Sequence, residues 1–259
     1  MPSSIIVNNI LAASAVTVIS EETISGSGFT RGIDGNLSST AGVATGATRI
    51  VVVDLGGAQT FDTIGLARHN FSSVGCTLTI YTGSSSTASP STLLATVAPT
   101  TDYVRWQDVG NSVTQRYLYL YFSGHDAAAY FGDLMIGTVL SFGTGQPVGF
   151  VDPVLANNDE IIGNITRGGF ITGTTYRPRP KKFSIAIRNQ TAEWFEENWQ
   201  TIVDTLRRGP FYFRWADTAD GFATAKRPAY CWIKKEIDSP QYSSQRHCSV
   251  SFDVEGVTE

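Results

Sequence analysis

The stretch RIVVVDLGGAQTFDTIGLARHNF, Arg49 to Phe71, carries the reading of the first half of the chain. Two apolar runs, Arg49–Leu55 and Thr63–His69, flank the pair Gly56-Gly57, and Asp54 closes the first run. Val and Ile dominate that run, and β-branched side chains suit a pleated, half-buried surface. The pattern predicts two strands with a turn between them. Asp54 is expected to bond turn amides, as Asp commonly does. A carboxylate at a strand end is also where an active-site sheet would place its acid, so the neighbouring sequence must separate scaffold from catalyst.

Working outward, short apolar runs recur at Ile5–Ile10, Val16–Ser20, Thr77–Tyr81, Leu93–Val97, Tyr103–Asp108, Tyr117–Phe122 and Phe131–Ile136. Gly, Ser, Asn, Asp and Pro separate them, as in GSSSTASPS at 83–91. Many short strands at such spacing predict an antiparallel sandwich or jelly roll. The passage SFGTGQPVGFVDPVLANND, 141–159, is rich in Gly and Pro and marks a boundary. The chain divides into residues 1–145, a β-sandwich, and residues 146–259, a β-rich α+β unit expected to serve assembly.

The second unit alternates as a strand at 183–189, FSIAIRN, and then carries one helix signal, TAEWFEENWQTIVDTLRRGP. Thr191 is an N-cap, Glu193, Glu196 and Glu197 load the first turns, and Arg207 and Arg208 close the last. Gly209 and Pro210 end it. Phe195, Trp199, Ile202, Val203 and Leu206 form one apolar stripe, so a helix over about 191–208 is expected to lie on a sheet face. Strands are predicted at 211–216, 229–237 and 246–254, the last two as a hairpin. The fold class is mostly β with this single amphipathic helix.

Charge separates the halves further. Residues 1–145 hold 5 Arg, no Lys and 9 acids, a net of −4, whereas residues 146–259 hold 14 basic and 14 acidic residues, a net of 0. A chain of net charge −4 is no general coat for nucleic acid. The N-terminus lacks a basic region before its apolar residues, so no signal peptide is expected, and no run approaches the roughly 18 apolar residues of a membrane span. The sequons at Asn36, Asn70, Asn164 and Asn189 are chance matches on that reading. Cys76, Cys231 and Cys248 are an odd set at wide spacing, which argues against a disulfide framework. Cys231 and Cys248 are expected as small core residues, with a cross-strand disulfide as the alternative.

The search for chemistry returns little. His69, His125 and His247 stand far apart with no ligand pattern, and no metalloprotease, P-loop or nucleophile-elbow motif occurs. Sequence order does not forbid a Ser-His-Asp set assembled in space. No catalytic residue, cofactor or metal ligand is therefore assigned. In IDGNLSST, 33–40, Asp34-Gly35-Asn36 reads as a turn, with a hard cation on its oxygens as the alternative. RPRPKK, 177–182, reads as an extended, solvated entry to the next strand, since each proline keeps its predecessor out of the helical region. The alternative is contact with an acidic surface, such as the first half of a neighbouring copy. The aromatics Phe211, Tyr212, Phe213, Trp215, Tyr230 and Trp232 are core residues, some of them suited to an interface.

GIDGNLSST followed by RIVVVDLGGAQTFDTIGLARHNF resembles the discoidin, or coagulation-factor type C, family of galactose-binding-like domains. TLTIYTGSSS, RYLYLYFSG and FGDLMIG are similar to its later strands in order, so the resemblance covers about 30–140. It implies an eight-stranded jelly roll and places Asp54 at a corner of a binding scaffold. Some members hold a structural calcium, which here would fall to Asp34, Asn36, Thr40 and Asp133. AGVATG stands where the family usually carries a tryptophan. The whole chain also resembles tail-tip or baseplate proteins of long-tailed bacteriophages. That resemblance implies a structural component of the virion, made in the bacterial cytoplasm and assembled as a trimer or hexamer with other tail proteins. A host surface glycan is its further expected partner. The alternative is a carbohydrate-binding, lectin-like protein.

Overall fold

The computed structural model describes residues 2–12, 16–20, 28–46, 48–86, 90, 92–154, 156, 158, 160–165, 167, 170–177, 179–215, 228–233, 235–244 and 246–258. The middle of the 83–91 loop, Pro178 of the basic run and the end of the predicted 211–216 strand lie outside these residues. The elements are β1 (Ser4–Val7), β2 (Thr17–Ser20), β3 (Ala41–Val43), β4 (Arg49–His69), β5 (Thr77–Gly83), β6 (Thr92–Val97), β7 (Arg105–Ser123) and β8 (Ala129–Ser141). The second half has β9 (Glu160–Ile165), β10 (Ile171–Arg177), β11 (Lys181–Thr191), α1 (Ala192–Arg208), β12 (Phe211–Arg214), β13 (Ala229–Ile233), β14 (Gln241–Tyr242) and β15 (His247–Val257). The fold is mostly β, as the sequence pattern predicts.

One prediction is corrected at the outset. The two runs of the Arg49–Phe71 stretch form a single strand rather than two strands parted by a turn. Gly56 takes φ 75° and Asp54 Oδ1 accepts its amide at 2.9 Å, yet the chain does not reverse. Pairing with β7 loses register between Asp54 and Gln59 and then resumes. The turn chemistry makes a bulge, which bends a strand without ending it. The runs Tyr103–Asp108 and Tyr117–Phe122 likewise fall largely on one strand, β7.

Because β4 and β7 bend, each serves two layers. In the first layer Arg49–Asp54 of β4 lies between β2 and Tyr117–Phe122 of β7, and the sheet continues through β5 to β6. In the second, Thr63–His69 of β4 lies between Arg105–Asp108 of β7 and β8, with β3 beyond. Val51, Val53, Leu118 and Leu120 from one layer meet Ile64, Leu66, Leu134 and Ile136 from the other in one buried core. This is a sandwich held by its inward alternation.

Strand β8 then runs out of the sandwich. Its residues Thr138–Ser141 pair with β1, and the other edge of β1 pairs with β12. The ladder continues through β13 and β15 to β11, so one hydrogen-bonded path links both halves. Alternation along β1 divides its side chains: Ile5 and Val7 enter the core of the second half, and Ile6 enters a separate cluster with Ala67, Val104, Met135, Tyr212 and Tyr230. Helix α1 lies on this second sheet with Phe195, Ile202, Val203 and Leu206 buried, as its stripe requires. The aromatics divide in the same way, Phe211 and Phe213 to the second core and Tyr212 and Tyr230 to the seam. Edge strand β11 is blocked at its centre by Gln146, whose amide donates to Ala186 O and accepts from Ala186 N. Such a plug removes part of a bare strand edge.

All three cysteines are buried free thiols. Register forbids the cross-strand disulfide, because Cys231 faces Gly256 whereas Cys248 faces Gln190 and Tyr242. Burial pushes the Cys76 thiol up to about 12 and the Cys231 thiol up as well, so both stay protonated.

Thr191 caps α1 by accepting from Trp194 N at 3.2 Å. Thr191→Ala is expected to cost about 1 kcal/mol, read as a lower urea midpoint with the same slope; an unchanged midpoint would show that the cap contributes nothing.

Candidate functional site

The two layers of the sandwich have very different outer faces. On the second layer, Gly65 and Ala67 leave room for the second half. A Cβ on Gly65 would stand 2.7 Å from the Tyr212 ring, so only glycine allows that ring to sit flat on β4. On the first layer, the alternation Tyr117, Leu118, Tyr119, Leu120, Tyr121 sends both leucines into the core and all three tyrosines outward. Tyr81 of β5 lies opposite Tyr119 and packs edge-on against Tyr121, ring centroids 5.1 Å apart. Ile50 and Val52 of β4 continue this face, and Ile19 of β2 and Leu93 of β6 border it, 43% and 56% exposed.

Polar groups rim one end of the tyrosine face. Arg116 donates from Nε and Nη2 to both oxygens of Asp54, at 2.8 and 2.9 Å, and its guanidinium lies 5.1 Å from the Tyr117 ring centre. The Arg116 guanidinium holds the Asp54 carboxyl below its ordinary value. Asp54 thus bonds the Gly56 amide, as expected, and also fixes an arginine across 62 residues. The Tyr119 ring packs over Gly83, where a Cβ would stand 2.7 Å away, and its hydroxyl donates to Ser85 O. Tyr119 is buried while Tyr81, Tyr117 and Tyr121 stay half-buried, so three ring edges remain reachable. The sequence pattern identifies the strand here but not the surface. The period-2 tyrosines were the available signal.

The four positions of the implied calcium set lie on the other side of the sandwich, at the seam. Gly35 has φ 71°, as the turn requires. Both Asp34 oxygens accept from Ser39 Oγ, and Oδ1 also accepts from Asn36 N at 2.8 Å. Asn36 Oδ1 accepts from Ser38 N and Oγ. Tyr230 donates to Gly35 O at 3.1 Å, and Tyr212 shares its proton between Asp133 O and Oδ2, at 3.1 and 3.0 Å. Thr40 leads directly into β3. Calcium needs six to eight oxygens. Here the loop's own donors and two tyrosines already engage most of them, leaving Asp133 Oδ1 as the buried oxygen with no hydrogen-bond partner. Among the described residues no three His, Cys, Asp or Glu side chains are placed to hold an ion. The set does not fit calcium; it fits a hydrogen-bonded corner. Beside it a cleft of about 390 Å³ separates the halves, with Asn8, Asp34, Asp204 and Arg208 on its walls.

The histidines are structural. His69 is buried, with Nε2 2.9 Å from Tyr103 O and Nδ1 accepting from Phe71 N at 3.2 Å. Burial pushes the imidazolium down, so the ring is neutral with its proton on Nε2. Asp102 approaches at 3.8 Å, but Ser73 donates to Asp102 rather than to His69. A serine, a histidine and an aspartate do gather here, yet His69 keeps no nitrogen to take a serine proton. His125 is buried against Ala44 O, and His247 meets Ser244 at the far end of the second half. In the basic run Arg179 pairs with Glu160 at 2.6 Å and Lys182 reaches Glu255 at 3.8 Å. Lys182, with Arg188, Lys235 and Asp253, lines a groove of about 780 Å³ beneath Val148–Val151.

No family model matches the chain, and no curated protein matches it. Among solved structures, the chain is similar to CpGH89CBM32-6 produced by Clostridium perfringens, at 14% identity over 50% of this chain and 98% of that one, TM-score 0.42. It is also similar to the CBM32 of AlyQ in complex with 4,5-unsaturated mannuronic acid, at 25% identity over 48% and 93%, TM-score 0.38. A third is chitosan-binding module 1 from a chitosanase/glucanase of Paenibacillus sp. IK-5, at 17% identity over 50% and 98%, TM-score 0.41.

Burial pushes the Asp133 carboxyl up to about 7 from an ordinary 3.8, opposed by the Tyr212 hydrogen bond and helped by the nearby Asp34 charge. A raised folded value means that this group favours folding most below about 4. The advantage is lost as pH rises to about 7, where the full cost of burying the charge is about 4 kcal/mol. Asp133→Asn keeps an acceptor for Tyr212 and removes that charge. Its melting temperature should exceed the parent's at pH 8 and converge with it near pH 4. Parallel curves would show that Asp133 carries no such penalty.

Proposed function

We propose that the first half binds carbohydrate through the tyrosine face of β5 and β7. The observation that carries this reading is the set of outward tyrosines, Tyr81, Tyr117 and Tyr121, beside the fixed Asp54–Arg116 pair. Tyrosine presents an apolar ring and a polar tip together, which suits a ligand that is apolar on its C–H faces and hydroxylated at its edges. The bidentate pair offers charged donors and acceptors at the same rim, held in place without a ligand. The galactose-binding-like sequence pattern supports the same reading, although a fold alone does not fix a ligand. The tail-component reading rests on sequence resemblance alone.

Affinity electrophoresis through a panel of soluble polysaccharides, including chitosan and mannuronic-acid polymers, tests the proposal. Retardation is expected for at least one. In Tyr117→Ala/Tyr121→Ala it should weaken about fivefold per ring, since each lost stacking contact is worth about 1 kcal/mol. No retardation by any polysaccharide, or equal retardation of the double variant, would refute it.

A further inference from the structure

We infer that the tyrosine face takes the interior of an uncharged polysaccharide chain lying along β7, an inference that rests on the carbohydrate reading above. Register fixes which residues share this side, because directly opposed residues of an antiparallel pair point the same way. Ile50 and Thr79 flank Tyr121, Val52 and Tyr81 flank Tyr119, and Asp54 and Gly83 flank Tyr117. Among these the one charged side chain is Asp54, and Arg116 cancels that charge in place at 2.8 Å. Both Asp54 oxygens already accept, Oδ1 from Arg116 Nε and the Gly56 amide and Oδ2 from Arg116 Nη2. A charged sugar brought onto this face would lose hydration with no unmatched opposite charge to meet. Hydroxyl groups fit it better: the hydroxyls of Tyr117 and Tyr121 donate or accept, and Arg116 keeps N–H donors beyond those that Asp54 uses.

The shape of the face selects the middle of a chain over its end. Neither the cleft of about 390 Å³ nor the groove of about 780 Å³ includes a residue of this face, so the tyrosines line a platform and not one of those hollows. The Tyr119 ring is folded over Gly83 and buried, which leaves Tyr117 and Tyr121 as the reachable rings on β7. Four residues of strand separate them, about 13 Å at about 3.3 Å per residue. Tyr81 packs against Tyr121 and widens that end. One sugar ring covers one tyrosine and does not reach the second. A ligand that meets both therefore runs along the strand as a chain.

The test uses the full chain in affinity gels cast with neutral polymers, a mixed-linkage β-glucan and a galactomannan, and with charged ones, a mannuronic-acid polymer and chitosan. Retardation is expected from a neutral polymer and not from the charged pair. It should persist when salt rises from about 0.1 M to about 1 M, where the Debye length shortens from about 10 Å to about 3 Å. Competition with fragments of the retarding polymer then reads the binding mode and needs no variant. A tetrasaccharide should release the protein at about a fivefold lower concentration than the monosaccharide, the worth of one further ring contact. Retardation by charged polymers alone, retardation that salt abolishes, or equal release by monosaccharide and tetrasaccharide would each overturn this inference while leaving the carbohydrate reading in place. Retardation by no polymer at all would remove that reading and this inference with it.

Discussion

Four residues near the N-terminus, Ser4–Val7, carry the architecture, because they are hydrogen-bonded along both edges. One edge meets the last turn-free residues of β8 and the other meets β12, more than 200 positions away in sequence. Without β1 the ladder that joins the sandwich to the second sheet has no middle member. The side chains reinforce the ladder: Ile5 and Val7 pack below with the second core, and Ile6 packs above with Tyr212 and Tyr230. Around this strand the seam closes with Tyr212 on Asp133, Tyr230 on Gly35, and Arg214 on Asp108 at 2.8 Å while its guanidinium lies 4.6 Å from the Trp106 ring centre.

This seam decides which surfaces remain for binding. The second layer of the sandwich is covered by the other half, and its small residues Gly65 and Ala67 are there because aromatic rings lie on them. The corner where the resemblance implies a cation lies under the same cover, with tyrosine hydroxyls on its oxygens. Among the described residues the first layer has no such cover from the second half, and it is the layer with Tyr81, Tyr117 and Tyr121. Contiguous exposed apolar faces mark interaction sites, which is the physical basis for proposing a binding role for that face.

Much of the fold is legible in the sequence because alternation and turn residues report local geometry. Most strands of the first half, the helix with its Thr191 cap and its buried stripe, and the final strands follow from periods of 2 and 3.6, whereas β3, three residues long, does not. Three things do not. The Gly56-Gly57 step has turn chemistry, and only pairing with β7 reveals that it bends the strand without ending it. The β9–β10 hairpin, EIIGNI and ITGTTYR, is short and interrupted by Gly163 and Gly173, so its strands show no clean alternation. Ile5–Ile10 reads as one short strand among many, because a partner two hundred residues distant leaves no local trace. The tyrosine face is an intermediate case: Tyr117, Tyr119 and Tyr121 show their common side in the sequence, but whether that side meets a core or water depends on what covers it.

The central claim is that β1 locks two β-built bodies into one cooperative structure. Native-state hydrogen exchange at the amides of Ile5, Ile6 and Val7 measures this directly, since amides deep in a cooperative unit open only with global unfolding. The account predicts that these amides exchange with the free energy of global unfolding, level with the core strands β4 and β7. Exchange at the rate of a fraying terminus, with β4 and β7 still protected, would contradict it.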